Sequence, residues 1–307
     1  MRHTRRDFLL HTAQLGAVAA FLPHAGAQAP PKSAPVKPLF EISLAEWSLH
    51  QALQSGAIKN LDFPVLAAKE YDIRCVEYVN SFFKESARDE KYLAELNLRC
   101  RDNGVTNHLI MCDGEGALGA SKKEERAQAV ENHKRWVDAA KTLGCKTIRV
   151  NAAGDGTREE HQSQAAEGLV ALAQYADPLD INVIVENHGG FTSDGAWLAG
   201  VMKKAAHPRV GTLPDFGNFD LGDGKKYDRY KGIEELMPFA KAVSAKSYDF
   251  DAKGDETTID YEKMLKLVLA AGFHSWIGIE YEGSRLSEKE GILATKALLL
   301  RLREKLA

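Results

Sequence analysis

Residues 183–190 read VIVENHGG: an apolar run that ends in a carboxylate, an amide, an imidazole and two glycines. Residues 210–220, VGTLPDFGNFD, repeat the pattern, with Asp215, Gly217 and Asn218 behind the apolar run. Charged residues seldom sit in buried strands unless they are paired or hold an ion. Two consecutive strands that each run into a carboxylate point to strands buried on both faces that open onto one polar space.

The same grammar extends along the chain. Strand-like runs fall at 39–47, 73–79, 105–112, 146–152, 181–188, 210–216, 242–250 and 276–283. Between them lie stretches with helical spacing at 61–71, 89–104, 122–144, 161–177, 193–206, 232–242, 260–272 and 287–306. Pro64 suits a first helical turn, Asn103-Gly104 and Gly144 read as helix stops, and Ser193-Asp194 and Asp260 read as N-caps. Strict alternation with short links implies a parallel sheet. Eight such pairs predict an α/β fold of one closed (β/α)8 TIM barrel over 39–307. No GxGxxG follows the first strand, which speaks against a dinucleotide-binding sheet.

The start of the chain has another character. Residues 1–27 combine a basic beginning, an apolar stretch and a small-residue site at Ala25-Gly26-Ala27, the layout of a cleavable signal peptide. Arg5-Arg6 within TRRDFL resembles the twin-arginine type, so the expected partner is the twin-arginine export machinery and the expected location periplasmic or secreted. The apolar stretch is shorter than the roughly 20 residues of a membrane span, so no stable span is expected. Residues 28–38 form a Pro-rich linker. Cleavage after Ala27 removes three Arg and one Asp and leaves 37 basic and 42 acidic residues. That balance, with no basic run, excludes a nucleic-acid partner. Cys75, Cys100, Cys112 and Cys145 have no zinc-ligand spacing and read as core thiols, with one disulfide compatible with export. Residues 249–256, DFDAKGDE, lack EF-hand spacing and read as a solvated turn.

Barrel enzymes of this kind place chemistry at the C-terminal strand ends. The polar residues there are Glu46, Trp47, Glu77, Tyr78, Asn80, Asp113, Asn151, Glu186, Asn187, His188, Asp215, Asn218, Lys246, Tyr248, Asp249, Glu280 and Glu282. Residues two apart in a strand share a face, so Glu186 pairs with His188 and Glu280 with Glu282. Glu186, Asp215 and Glu280 converging on one mouth repel one another unless a cation lies between them. A hard divalent ion such as Mn²⁺ or Mg²⁺ meets that need, and so do private pairs with Lys or Arg.

VENHGG, LPDFGNF, KSYDFD and GIEYEG, in that order on strands five to eight, resemble the xylose isomerase-like TIM-barrel superfamily, the sugar phosphate isomerases and epimerases that also include endonuclease-type barrels. The resemblance spans roughly residues 40–305. It implies a divalent metal on Glu186, Asp215 and Glu280, with Glu186 and Glu280 as the two catalytic bases. It also implies a strand-seven His where this chain has Ser244, and a His where it has Asn218. Water or His188 is left to fill the vacancy, or the Lys246 ammonium stands among the carboxylates in place of the metal. Trp47, Glu77, Tyr78, His188, Asn218 and Lys246 are the expected substrate-facing residues, and the partner is a small carbohydrate. The implied function is an exported sugar isomerase or epimerase, with metal-assisted proton transfer next to the carbonyl of an unphosphorylated sugar or keto-sugar. A 3-keto-glycoside lyase uses the same enolisation, and a non-catalytic sugar-binding barrel is the alternative from another class. Oligomeric state stays open, with a homo-oligomer allowed.

Overall fold

The computed structural model describes residues 38–307. The expected signal peptide and all but the last residue of the Pro-rich linker lie outside the described residues. Short runs of Val, Ile and Leu form the strands β1 (Glu41–Ala45), β2 (Cys75–Val79), β3 (Thr106–Met111), β4 (Thr147–Val150), β5 (Asn182–Glu186), β6 (Val210–Leu213), β7 (Val243–Ser247) and β8 (Trp276–Tyr281). Each pairs in parallel with its neighbour from β1 to β6, and β8 joins β1 to β7. The remaining gap, β6 to β7, is spanned by backbone bonds from Lys241 N to Thr212 O (3.0 Å), Ser244 N to Pro214 O (3.0 Å) and Phe216 N to Ser244 O (3.1 Å). The eight strands thus form the TIM-barrel fold.

The outer ring consists of α1 (Phe63–Glu70), α2 (Glu90–Asp102), α3 (Lys123–Leu143), α4 (Arg158–Ala176), α5 (Gly195–Ala205), α6 (Arg229–Leu236), α7 (Tyr261–Ala270) and α8 (Glu288–Leu306). The Asp194 side chain accepts from Trp197 N and that of Asp260 from Lys263 N, so both act as the N-caps expected of them. Thr157 and Ser287 begin α4 and α8 with reciprocal capping boxes. A hairpin of Asp220–Gly222 and Lys225–Lys226 is inserted between β6 and α6. No helix among the described residues is long and apolar enough to cross a membrane.

Strand alternation divides the core in two. Leu44, Val76, Tyr78, Ile110, Ile148, Val150, Val183, Val185, Val243, Ala245, Ile277 and Ile279 belong to the large layer that includes the helices. Ala45, Val79, Leu109, Met111, Ile184, Leu213 and Ala242 form a smaller cluster inside the barrel. The inward series also carries Ser43, Glu77, Arg149, Glu186, Ser244, Lys246 and Glu280, all buried. Polar groups therefore replace the usual aliphatic layers in part of the interior. All four cysteines are reduced and buried, so the core-thiol reading holds. Residues 249–256 form a turn in which Asp251 accepts from Lys253 N and Asp255 N.

Candidate active site

Strands β5 to β8 each bring a polar side chain to the mouth. Glu186 ends β5, Asp215 lies two residues past β6, and Lys246 and Glu280 stand opposite each other in the β7–β8 register. Carboxylate oxygens of Glu186, Asp215 and Glu280 lie within 4.8 Å of one another, a buried group that could hold a metal ion. Three carboxylates this close need positive neighbours, and two are present.

The Lys246 ammonium, 1% exposed, lies 3.2 Å from Glu280 Oε1, 3.4 Å from Glu282 Oε2 and 4.0 Å from Asp215 Oδ2. The Arg149 guanidinium, on β4, donates to Asp113 Oδ1 (2.6 Å), and its Nε lies 3.0 Å from Glu186 Oε2 without being aligned for a hydrogen bond. Burial lowers the pKa of both cations, but the facing carboxylates outweigh it and raise both above their ordinary values.

The carboxylates differ among themselves. Burial raises Glu186, and the Arg149 charge only partly opposes this. Burial likewise raises Asp215 against the pull of Lys246. Glu280 is also buried, but Lys246 and Arg149 outweigh the desolvation and hold it below the ordinary carboxylate value. Asn218 Nδ2 donates to Glu186 Oε1 (3.0 Å), and Ser244 Oγ donates to Glu280 Oε2 (3.0 Å). Asp215 Oδ1 accepts from Gly217 N and Asn218 N, both at 2.8 Å. Asp215 Oδ2 and Glu186 Oε2 are buried without a hydrogen bond.

Those two oxygens test whether a metal suits the site. Five carboxylates (Asp113, Glu186, Asp215, Glu280 and Glu282) face two cations, and two buried oxygens lack hydrogen bonds. An all-oxygen donor set with excess negative charge fits a divalent ion. Ser244, which stands where the resemblance implies a strand-seven His, turns its hydroxyl to Glu280.

The other expected substrate-facing residues separate into groups. Trp47 stands at the mouth, donates from Nε1 to Glu282 Oε1 (2.5 Å) and stacks on His50 with ring centroids 4.8 Å apart. Asn218 and Lys246 touch the carboxylates directly. His188 is exposed on the β5 loop, with no side-chain hydrogen bond among the described residues, and desolvation of its ring, followed by the Arg149 and Lys246 charges, holds it below the ordinary His pKa. Glu77 lies deeper in the barrel: Ser43 Oγ donates to its Oε1 (2.6 Å), Oε2 has no partner, and burial raises its pKa to about 8.

Tyr78 is a correction. It follows Glu77 by one residue, so alternation turns it outward. It is fully buried between β2 and the helices, with its hydroxyl on Asn107 Oδ1 (2.7 Å) and its ring against Phe63 and Phe83. It cannot meet a ligand at the mouth. Arg149 is the inward residue that the strand-end reading missed. A lone Arg inside the run TIRV was the available signal, because a buried strand tolerates it only opposite carboxylates.

Residues 65–304 match the family described as xylose isomerase-like TIM barrel. The chain belongs to that family. The barrel is similar to the IOLI protein solved with a binding zinc atom, at 14% identity over 87% of this chain and 99% of that one, with TM-score 0.67. It is also similar to a xylose isomerase-like TIM barrel protein from Mycobacterium smegmatis in complex with magnesium, at 15% identity, coverages of 87% and 98% and TM-score 0.66. An L-ribulose 3-epimerase structure matches at 12% identity, coverages of 87% and 95% and TM-score 0.66. At these identities the likeness establishes the fold, and the neighbours include sugar isomerases and epimerases. No curated protein matches the chain.

Proposed function

We propose that the protein is a sugar isomerase or epimerase that moves a proton next to the carbonyl of an unphosphorylated sugar or keto-sugar. The observation that carries this reading is the asymmetric carboxylate pair. Glu280 is held ionised by Lys246, while burial leaves Glu186 readier to hold a proton. One such group removes the proton and the other returns it. Negative charge that develops on the enediolate oxygens faces Arg149 and Lys246, both already fixed in place and shielded from water. Trp47 at the mouth, partly covered by His50 and Phe82, offers its remaining exposed ring surface to the sugar, and His188 and Asn218 offer hydrogen bonds to hydroxyls or to the carbonyl. Glu186, Asp215 and Glu280 would hold a Mg²⁺ or Mn²⁺ ion. When bound, such an ion supplies Lewis-acid polarisation of the carbonyl. The Arg5-Arg6 signal supports an exported enzyme, and fractionation of an Arg5→Lys, Arg6→Lys variant tests this: loss of periplasmic protein is expected.

The decisive test is a panel of keto-sugars and oxidised glycosides in deuterated water, followed by NMR. Deuterium on one carbon of a sugar that keeps its atoms supports isomerisation or epimerisation. An unsaturated product with a released aglycone converts the reading to the lyase. Saturable binding of a sugar with no exchange in any compound overturns catalysis and leaves a binding barrel.

A further inference from the structure

Beside the carboxylates lies a cavity of about 300 Å³, walled by the loops after β6 and β7. Gly217, Asn218, Asp220, Lys226, Arg229 and Tyr248 line it. It adjoins the candidate active site directly. Asn218 also donates to Glu186, and Gly217 also donates to Asp215. A Cβ at position 217 would stand 2.5 Å from the Tyr248 hydroxyl and 3.1 Å from Lys246 methylenes, so the absence of a side chain there keeps the wall thin.

Asp220 shares the lining and stands opposite Lys226 in the hairpin register, so the excess positive charge of the lining is that of Arg229. Among the described residues, neither Lys226 nor Arg229 has a carboxylate within ion-pair distance, and Arg229 Nη1 is buried with no hydrogen bond. A buried guanidinium N–H left bare demands an explanation, because a missing bond to a charged group is costly. The nearby carboxylates keep their charge but turn to backbone amides rather than to Arg229. Asp228 caps α6 through Tyr230 N and Lys231 N, Asp220 accepts from Gly222 N, and Glu256 accepts from Thr258 N. The Tyr248 hydroxyl has no hydrogen bond among the described residues and points at the same space.

We infer that this cavity is an anion subsite in which Arg229 and Lys226 take the oxyanion end of an acidic sugar, a carboxylate or a phosphate, while its carbonyl end lies among Glu186, Asp215 and Glu280. The guanidinium fork matches such planar or tetrahedral oxyanions. The inference deepens the proposed function and rests on it for the carbonyl end alone.

Calorimetric titration of the purified full-length protein with D-glucuronate, D-glucose 6-phosphate and D-glucose tests it. At least one anion is expected to bind, with glucose about tenfold weaker or worse, and Arg229→Gln is expected to weaken the anion about tenfold or more. Lys226→Gln, on the exposed hairpin, is expected to act in the same direction and guards against a folding defect at α6. Glucuronate alone identifies a carboxylate source. Glucose 6-phosphate alone identifies a phosphate source and removes "unphosphorylated" from the proposed function. Glucose binding as tightly as both anions, or anion binding untouched by either variant, overturns the subsite. Glu280→Gln separates the two readings, since it is expected to stop proton exchange and to leave anion affinity within about threefold.

Discussion

Lys246→Met is the perturbation that best probes how the mouth is held together. Methionine keeps the aliphatic stem that packs against Gly217 and removes only the charge. The ammonium lies 3.2 Å from Glu280, 3.4 Å from Glu282 and 4.0 Å from Asp215. Two unit charges 4 Å apart attract by about 4 kcal/mol at an effective dielectric constant near 20. Desolvation of the lysine offsets part of that sum. Removing one partner of a buried pair still costs about 3–5 kcal/mol, because the other charge is stranded. For a domain of this size that corresponds to a melting point lower by roughly 6–20 °C. Urea unfolding followed by circular dichroism in EDTA measures it.

The double-mutant cycle with Glu280→Gln isolates the pair. Removing the carboxylate first makes the lysine less needed, so Lys246→Met should cost less in the Glu280→Gln background, by about 1–3 kcal/mol. Added Mg²⁺ or Mn²⁺ should restore part of the stability lost by Lys246→Met, since a dication can supply the missing positive charge. Additive single effects, within about 0.5 kcal/mol, would refute the claim that Lys246 neutralises Glu280.

Glu280→Gln should lower deuterium exchange by about a hundredfold or more while the circular dichroism spectrum is unchanged, and retention of more than about a tenth of the rate removes Glu280 from the base role. Gly278→Ala would place a Cβ 2.6 Å from Glu77 Oε1. It should destabilise by about 1–3 kcal/mol, with part recovered by adding Glu77→Ala; a loss under about 0.5 kcal/mol shows that the site has slack. Glu77→Gln tests the buried acid by its pH signature. Burial raises the Glu77 pKa from 4.5 to about 8, so between those values the folded state holds a proton that the unfolded chain has released. Its contribution is complete below about pH 4.5 and declines as pH rises through about 8. The variant should therefore match wild type near pH 4 and exceed it near pH 9, by a few kcal/mol at about 1.4 kcal/mol per pKa unit. A difference that is flat from pH 5 to 9 contradicts the assignment.

The barrel was legible because its signals are local. Each strand needed only a short Val/Ile run, each helix a cap such as Asp194 or Asp260, and the eightfold rhythm set the topology. The convergence of Glu186, Asp215 and Glu280 was legible for the same reason, since all three lie at strand ends whose common direction follows from parallel pairing. Tyr78 was misplaced because its neighbour Glu77 is the inward one, and a shift of a single residue along a strand exchanges the two faces. Arg149 escaped notice because the expected strand ran on to residue 152 and left it mid-run, whereas β4 ends at Val150; its partners are Asp113, two residues past β3, and Glu186 at the end of β5. The charges on Arg229 and Lys226 were invisible for a different reason. A cation matters to function when nothing nearby neutralises it, and that depends on which carboxylates the loops have already engaged.

The replacement of the expected strand-seven His by Ser244 takes on a definite meaning in this setting. A neutral imidazole would add a ligand without adding charge, whereas Ser244 spends its proton on Glu280 and fixes the carboxylate that Lys246 also holds. On the proposed function, Ser244 of strand seven orients the base Glu280 instead of adding a ligand to a metal. Lys246 then supplies positive charge that does not depend on an ion. Chelation separates the contributions. If the metal carries most of the stabilisation of the enediolate, exchange should fall by about a hundredfold or more in EDTA and return with Mn²⁺ or Mg²⁺. If Lys246 and Arg149 carry it, chelated protein should keep more than about a tenth of the rate, and Lys246→Met should abolish what remains.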